Sequence, residues 1–123
     1  MALRFGATLV AIVCAAGCGG SSTSSSATPD PAPAGSTTVT MPSGASGQTT
    51  GAYTPNPLTV TAGTVVSFLN SDSTTHTSTA DAGAWSSGNL APGKRFNLTT
   101  AARGQFTYHC TIHPNMVGTL TVQ

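Results

Sequence analysis

The last twenty residues, Gly104 to Gln123, read GQFTYHCTIHPNMVGTLTVQ. Two runs with the two-residue period of a β-strand, GQFTYHC and GTLTVQ, flank the short irregular stretch TIHPNMV. Alternate strand side chains share a face, so Phe106, Tyr108 and Cys110 point one way, and Leu120 and Val122 face inward on the closing strand. Upstream, TVVSFLN sets Val66 and Phe68 on one face. LTVTA alternates Leu58 and Val60 with threonines, and TTVTM begins the series after Ser36. RFNL lies between turns at APG and ARG, and PSGASGQTTG is a Gly/Ser-rich loop. Short β-like runs punctuated by Gly, Pro, Asn and Asp predict an all-β sandwich of about seven to eight strands, with no helix. Trp85, Phe106 and Tyr108 are its expected aromatic core.

The 123 residues include 14 Gly and 8 Pro, and only 6% are charged, for a formal net charge of +1. That allows one small domain. It offers no basic stripe for nucleic acid and no acidic field for cationic partners, so the surface that meets a partner is expected to be apolar. With three acidic residues in all, neither paired carboxylates nor a serine–histidine–acid arrangement stands out. A small-molecule substrate and an enzymatic role are therefore not expected.

At the N-terminus Arg4 precedes the apolar run FGATLVAIVCAAG, which is too short to span a bilayer and reads as an export signal. It ends in AAGC, a form that resembles the bacterial lipoprotein signal. Residues 1–17 are accordingly expected to be a signal peptide and Cys18 the acylated first residue of the mature chain. The predicted location is periplasmic or cell-surface, with the protein held to the membrane by lipid. Acyl chains would contribute about 0.8 kcal/mol per buried methylene. Residues 18–35, with GGSSTSSSATPDPAPAG after the cysteine, read as a Ser/Pro-rich tether with a reach of roughly 20–25 Å. The domain proper occupies residues 36–123.

This organisation isolates one thiol. Cys14 leaves with the signal and Cys18 is spent on acylation. Cys110 remains free in an oxidising compartment, where unpaired cysteines are normally avoided or employed. Three and six residues beyond it stand His113 and Met116. A thiolate, an imidazole and a thioether are soft or borderline donors that suit copper far better than magnesium or calcium. A fourth donor has to come from elsewhere, and His76, in NSDSTTHTSTAD, is the natural candidate. His109 has the opposite strand parity to Cys110 and reads as an ordinary exposed histidine. A domain of this size has a thin core, so a bound metal would also act as a staple.

YHCTIHPNM, together with FLNSDSTTH upstream, resembles the cupredoxins, or blue-copper proteins. The spacing is that of the amicyanin-like members, with two residues between successive loop ligands and Asn70 six residues before His76. The resemblance covers about residues 36–123 and implies a Greek-key β-sandwich holding one copper ion. His76 and His113 would each give a ring nitrogen, Cys110 the short thiolate bond and Met116 a long axial contact. It further implies a monomeric carrier that passes single electrons between larger redox proteins, such as a cytochrome or a terminal oxidase.

Two positions depart from the family pattern. Thr77 stands where many relatives have Asn; it keeps the N–H that bonds the cysteine sulfur and is expected to give a weaker side-chain tie. Ile112 stands where Pro is common, and its N–H is expected to reach the Cys110 sulfur and raise the reduction potential. Pro114 and Val117 flank His113 and form the expected docking patch, with Met41 and Pro42 as further members. The rival readings are a copper-delivery protein using the same ligands, and a metal-free adhesion sandwich.

Overall fold

The computed structural model describes residues 28–123. The signal peptide, Cys18 and the tether as far as residue 27 lie outside the described residues. Among the described residues seven strands follow one another: β1 (Thr37–Met41), β2 (Leu58–Val60), β3 (Val65–Asn70), β4 (Thr79–Ala80), β5 (Arg95–Thr99), β6 (Gly104–His109) and β7 (Val117–Val122). They form a three-stranded sheet ordered β1-β3-β5 and a four-stranded sheet ordered β2-β7-β6-β4. The β1–β3 and β2–β7 pairs are parallel and the others antiparallel, as the crossovers of a Greek-key sandwich require. The described residues contain no α-helix, only two single 3-10 turns at Ala45–Gly47 and Thr50–Ala52.

The alternation seen in the sequence delivers the core. Val39 and Met41 of β1, Val66 and Phe68 of β3, Tyr108 of β6, and Leu120 and Val122 of β7 are buried between the sheets. Each such side chain stabilises the fold by roughly 1.5–3 kcal/mol relative to leaving it in water. The centre is aromatic. Tyr108 meets Tyr53 edge-on with centroids 4.8 Å apart and Phe68 edge-on at 5.4 Å, and Trp85 lies 5.8 Å from it. Gly118 sits directly opposite Tyr108 in the β6–β7 ladder. A Cβ at Gly118 would fall on the ring's Cζ and hydroxyl, so the second residue of the closing strand has to be glycine for the tyrosine to lie across it.

Two sequence expectations change, and one strand is new. Met41 is completely buried in the core and is not part of any surface, because β1 turns its last side chain inward. The strand β4 lies in the polar stretch STAD, which carries no apolar alternation; pairing of Thr79 with His109 and of Ala80 with Tyr108 creates it. The segment expected to be tether as far as residue 35 is instead held against the domain from Asp30. The Asp30 N–H donates to Gly93 O at 2.9 Å, and Arg95 Nε donates to the Asp30 carbonyl. Prolines at 29, 31 and 33 keep this stretch extended, and the Arg95 Nε donor helps to fix it.

Candidate metal centre

Both β3 and β6 end, and β7 begins, at the same edge of the sandwich. Strand parity carries Cys110 to the inner side one residue beyond β6, where it is fully buried. The loop after it closes on itself: the Cys110 N–H donates to Met116 O at 3.1 Å, and the Met116 N–H donates to His113 O at 2.9 Å. His76 arrives from the loop after β3. Its backbone exchanges two hydrogen bonds with Leu90, of 3.1 and 2.8 Å, and its ring is fully buried.

Asn70 makes that loop possible. Its side-chain amide donates to Thr74 O at 2.7 Å and to Leu90 O at 2.8 Å, and its Oδ1 accepts from the Asp72 N–H at 2.9 Å. A buried amide with these three partners is nearly saturated, so it fixes the descent from β3 to His76.

The donors converge. Cys110 Sγ lies 3.9 Å from His76 Nδ1 and 3.9 Å from His113 Nδ1. The three ligand atoms all fall within 4.8 Å of one another. Nitrogen and sulfur donors bound at about 2.0–2.3 Å to one shared ion sit at this order of separation, so the cluster fits a single metal. Two imidazoles and a thiolate brought together in this way are a donor set for copper. Met116 is fully buried on the same loop, and both its backbone groups hold that loop shut around the cluster.

One residue of the centre escaped the sequence reading. Asp72 Oδ2 accepts from His76 Nε2 at 2.8 Å, and the carboxylate is itself buried. Its Oδ1 accepts from the N–H groups of Gly44 and Ser73 at 3.1 and 2.7 Å, and the Thr74 hydroxyl donates to Oδ2 at 3.2 Å. The His76 hydrogen bond above all, with these donors, holds the carboxyl well below the usual carboxylate range despite burial. A carboxylate only accepts, so the proton of His76 sits on Nε2 and the lone pair of Nδ1 faces Cys110. The four-residue spacing Asp72–His76 within NSDSTTH is the signal that was present, since an Asp in a loop of Ser and Thr folds back on its own backbone.

Thr77 does more than expected of it. Its N–H donates to Cys110 Sγ at 3.3 Å. Its hydroxyl accepts from the Thr111 N–H at 2.9 Å and lies 3.3 and 3.2 Å from the hydroxyls of Thr111 and Thr79. Three hydroxyls thus stitch the His76 loop to the Cys110 loop. Ile112 requires a correction: among the described residues the sulfur receives a backbone hydrogen bond from Thr77 and none from Ile112. The closure of the loop through Met116 leaves Ile112 on its outer crest, 45% exposed.

His113 is partly exposed, and Ile112, Pro114 and Val117 lie near it in the chain on the surface. Ile112 and Val117 are the exposed large apolar side chains of the described residues. His109 faces the outside of the four-stranded sheet, where its Nδ1 pairs with Asp81. The Thr107 hydroxyl first, and His109 second, lower the Asp81 carboxyl below its ordinary value. Burial raises the phenols of Tyr53 and Tyr108 well above the ordinary tyrosine value, so both stay neutral. The Tyr53 hydroxyl donates to Thr77 O at 2.6 Å, while that of Tyr108 has no partner among the described residues.

A protein-family profile described as a cupredoxin-like domain matches residues 9–122. Among solved structures, a purple cupredoxin from Nitrosopumilus maritimus is 30% identical, covering 71% of this chain and 99% of that one, with a TM-score of 0.65. A reduced tryptophan-to-tyrosine variant of amicyanin is 24% identical over 75% of this chain and 86% of that one, also with a TM-score of 0.65. An oxidised proline-to-alanine variant of amicyanin matches with the same four values. At that identity the amicyanin likeness speaks for the fold alone. No curated protein sequence gives a significant match. No helix of the described residues is long and apolar enough to cross a membrane.

Proposed function

Because the chain belongs to the cupredoxin family, we propose that it is an exported blue-copper electron carrier whose ion is held by His76, Cys110, His113 and Met116. The observation that carries this reading is the convergence of the imidazole nitrogens and the thiol within 4.8 Å, with His76 and Cys110 buried and His113 at the surface edge. When bound, copper supplies a one-electron couple between its cupric and cuprous states.

The chain's own residues do the rest. Asp72 and the Leu90 bridge fix the ring of His76 before any ion arrives, and the Met116 hydrogen bonds fix the Cys110–His113 loop. A pocket held this way needs little rearrangement when charge on the ion changes, which favours fast electron exchange over bond-making chemistry. The Thr77 N–H withdraws charge from the Cys110 sulfur and so biases the site toward its reduced state. His113, half-exposed among Ile112, Pro114 and Val117, is the port through which electrons leave, and these apolar side chains dock a redox protein such as a cytochrome or an oxidase. The role is that of a carrier and not of an enzyme. Acylated Cys18 anchors it outside the cytoplasm.

Copper titration followed by visible spectroscopy and voltammetry tests this. A strong band at roughly 600 nm with a reversible one-electron wave is expected. A colourless protein that binds only cuprous ion and releases it to an acceptor would favour copper delivery instead.

A further inference from the structure

The first strand points the wrong way for a tether. β1 begins with Thr37 opposite Val66 and ends with Met41 opposite Asn70, so its start lies at the end of the sandwich remote from the metal site. A chain leaving directly from Thr37 would suspend the domain with His113 turned away from its anchor.

The residues before β1 reverse this. Ser36 turns on Pro33, donating to its carbonyl from N–H and Oγ at 3.1 and 2.7 Å. The chain then doubles back to Asp30, which bonds Gly93 and Arg95. Those residues sit where β5 starts, beside Leu69 and Asn70 at the metal-site end. Arg95 also donates from Nη1 to Ser67 Oγ at 3.1 Å and to Thr38 Oγ1 at 3.4 Å across the outer face of the three-stranded sheet. Ser67 points outward from β3 and yet is fully buried, so this face is covered. The Asp30–Lys94 ion pair, at 3.3 Å and largely exposed, adds little.

We propose that Asp30–Ser36 is an orienting strap: it moves the exit point of the chain to the metal-site end, so that the His113 surface is presented to a redox partner embedded in the membrane that holds Cys18. This rests on the readings of Cys18 as acylated and of the cluster as a copper site. Eleven residues lie between Cys18 and Asp30, and the chain from one to the other spans at most about 40 Å, enough for the His113 surface to meet the membrane plane or a protein rising from it. Releasing the strap lengthens the spacer and shifts the exit along the five residues of β1, about 16 Å at 3.3 Å per residue. Both changes carry the metal site away from the bilayer. The low charge of the chain fits a partner met by confinement in two dimensions more than by long-range steering.

The test uses the full-length, acylated, copper-loaded protein on phosphatidylcholine vesicles carrying a red-emitting dye on a fraction of the headgroups. Energy transfer to the oxidised copper band quenches the dye, and ascorbate abolishes that quenching in the same sample, so the difference isolates proximity of the site to the bilayer. Two variants release the strap independently. Asp30→Pro removes the N–H to Gly93, and Arg95→Gln withdraws the Nε contact. The expected result is a fall in the oxidised-minus-reduced quenching of at least about twofold in both, given the displacement along β1, with the visible band unchanged. Quenching equal to wild type in either correctly folded variant overturns the strap alone. A protein that does not float with vesicles, or has no visible band, overturns it together with the reading beneath it.

Discussion

Replacing Asp72 with Asn gives the sharpest quantitative test of how the protein sets the character of its site. The carboxylate is buried, stays ionised, and touches His76 Nε2 at 2.8 Å. An ion held by the other ring nitrogen would lie roughly 7 Å from that oxygen, adding a ring's width and a metal–nitrogen bond of about 2 Å. One unit of charge at about 7 Å interacts with a one-unit change on the ion by about 2 kcal/mol at an effective dielectric constant near 20. For a one-electron couple that is about 100 mV. The sign follows from charge: a carboxylate favours the more positive oxidised ion, so Asp72→Asn raises the reduction potential. The amide cannot accept from both His76 and the Gly44 and Ser73 N–H pair, so a loss of roughly 1–3 kcal/mol of stability accompanies it. Voltammetry reads the first effect and urea unfolding of the metal-free protein the second. A potential that falls, or rises by less than about 30 mV with the visible band intact, would refute the electrostatic reasoning.

The metal-free domain should weaken in acid, because the folded-state pKa of Asp72 lies below its unfolded value near 3.9. Its contribution is complete above about pH 5 and drains away as the pH falls through and below 4; urea midpoints taken from pH 6 to pH 3 should drop further for wild type than for Asp72→Asn. Gly118→Ala forces a methyl into the Tyr108 ring and should cost about 3 kcal/mol, read as a lowered midpoint; a change within error would show that the ring has room to move. Tyr108→Phe deletes a buried hydroxyl that has no partner among the described residues and should be neutral or stabilising by about 1 kcal/mol in the same assay. Thr77→Val leaves the Thr111 N–H unpaired and should destabilise by about 1–2 kcal/mol. Ile112→Pro, whose residue makes no hydrogen bond to the sulfur, should leave the potential unchanged in voltammetry.

The parts of the fold that strand periodicity encodes were legible in the sequence. β1, β3, β6 and β7 fall where TTVTM, TVVSFLN, GQFTYHC and GTLTVQ place them, since each turns alternate residues toward one core. β4 was not, because Thr79 and Ala80 are extended only through their partners on β6. The site divides in the same way. Cys110, His113 and Met116 lie on one loop with a spacing that can be read directly, and His76 could be reached through its distance from Asn70. Asp72 is four residues from His76, but its burial depends on Gly44, which only the folded loops bring near. Ile112 shows the converse. Its N–H is present in the sequence, and loop closure through Met116 leaves that residue outside. The Pro-rich strap has the composition of a free tether, and only Arg95 and Gly93, more than sixty residues away, reveal that it is fixed.

The most direct test of the central claim is the visible spectrum of the copper-loaded protein beside that of Cys110→Ser. An intense band at roughly 600 nm is expected for wild type, bleached by ascorbate, restored on reoxidation and absent from the variant. An intense band that survives the loss of Cys110, or a wild-type protein that takes up cupric ion without one, would contradict that claim.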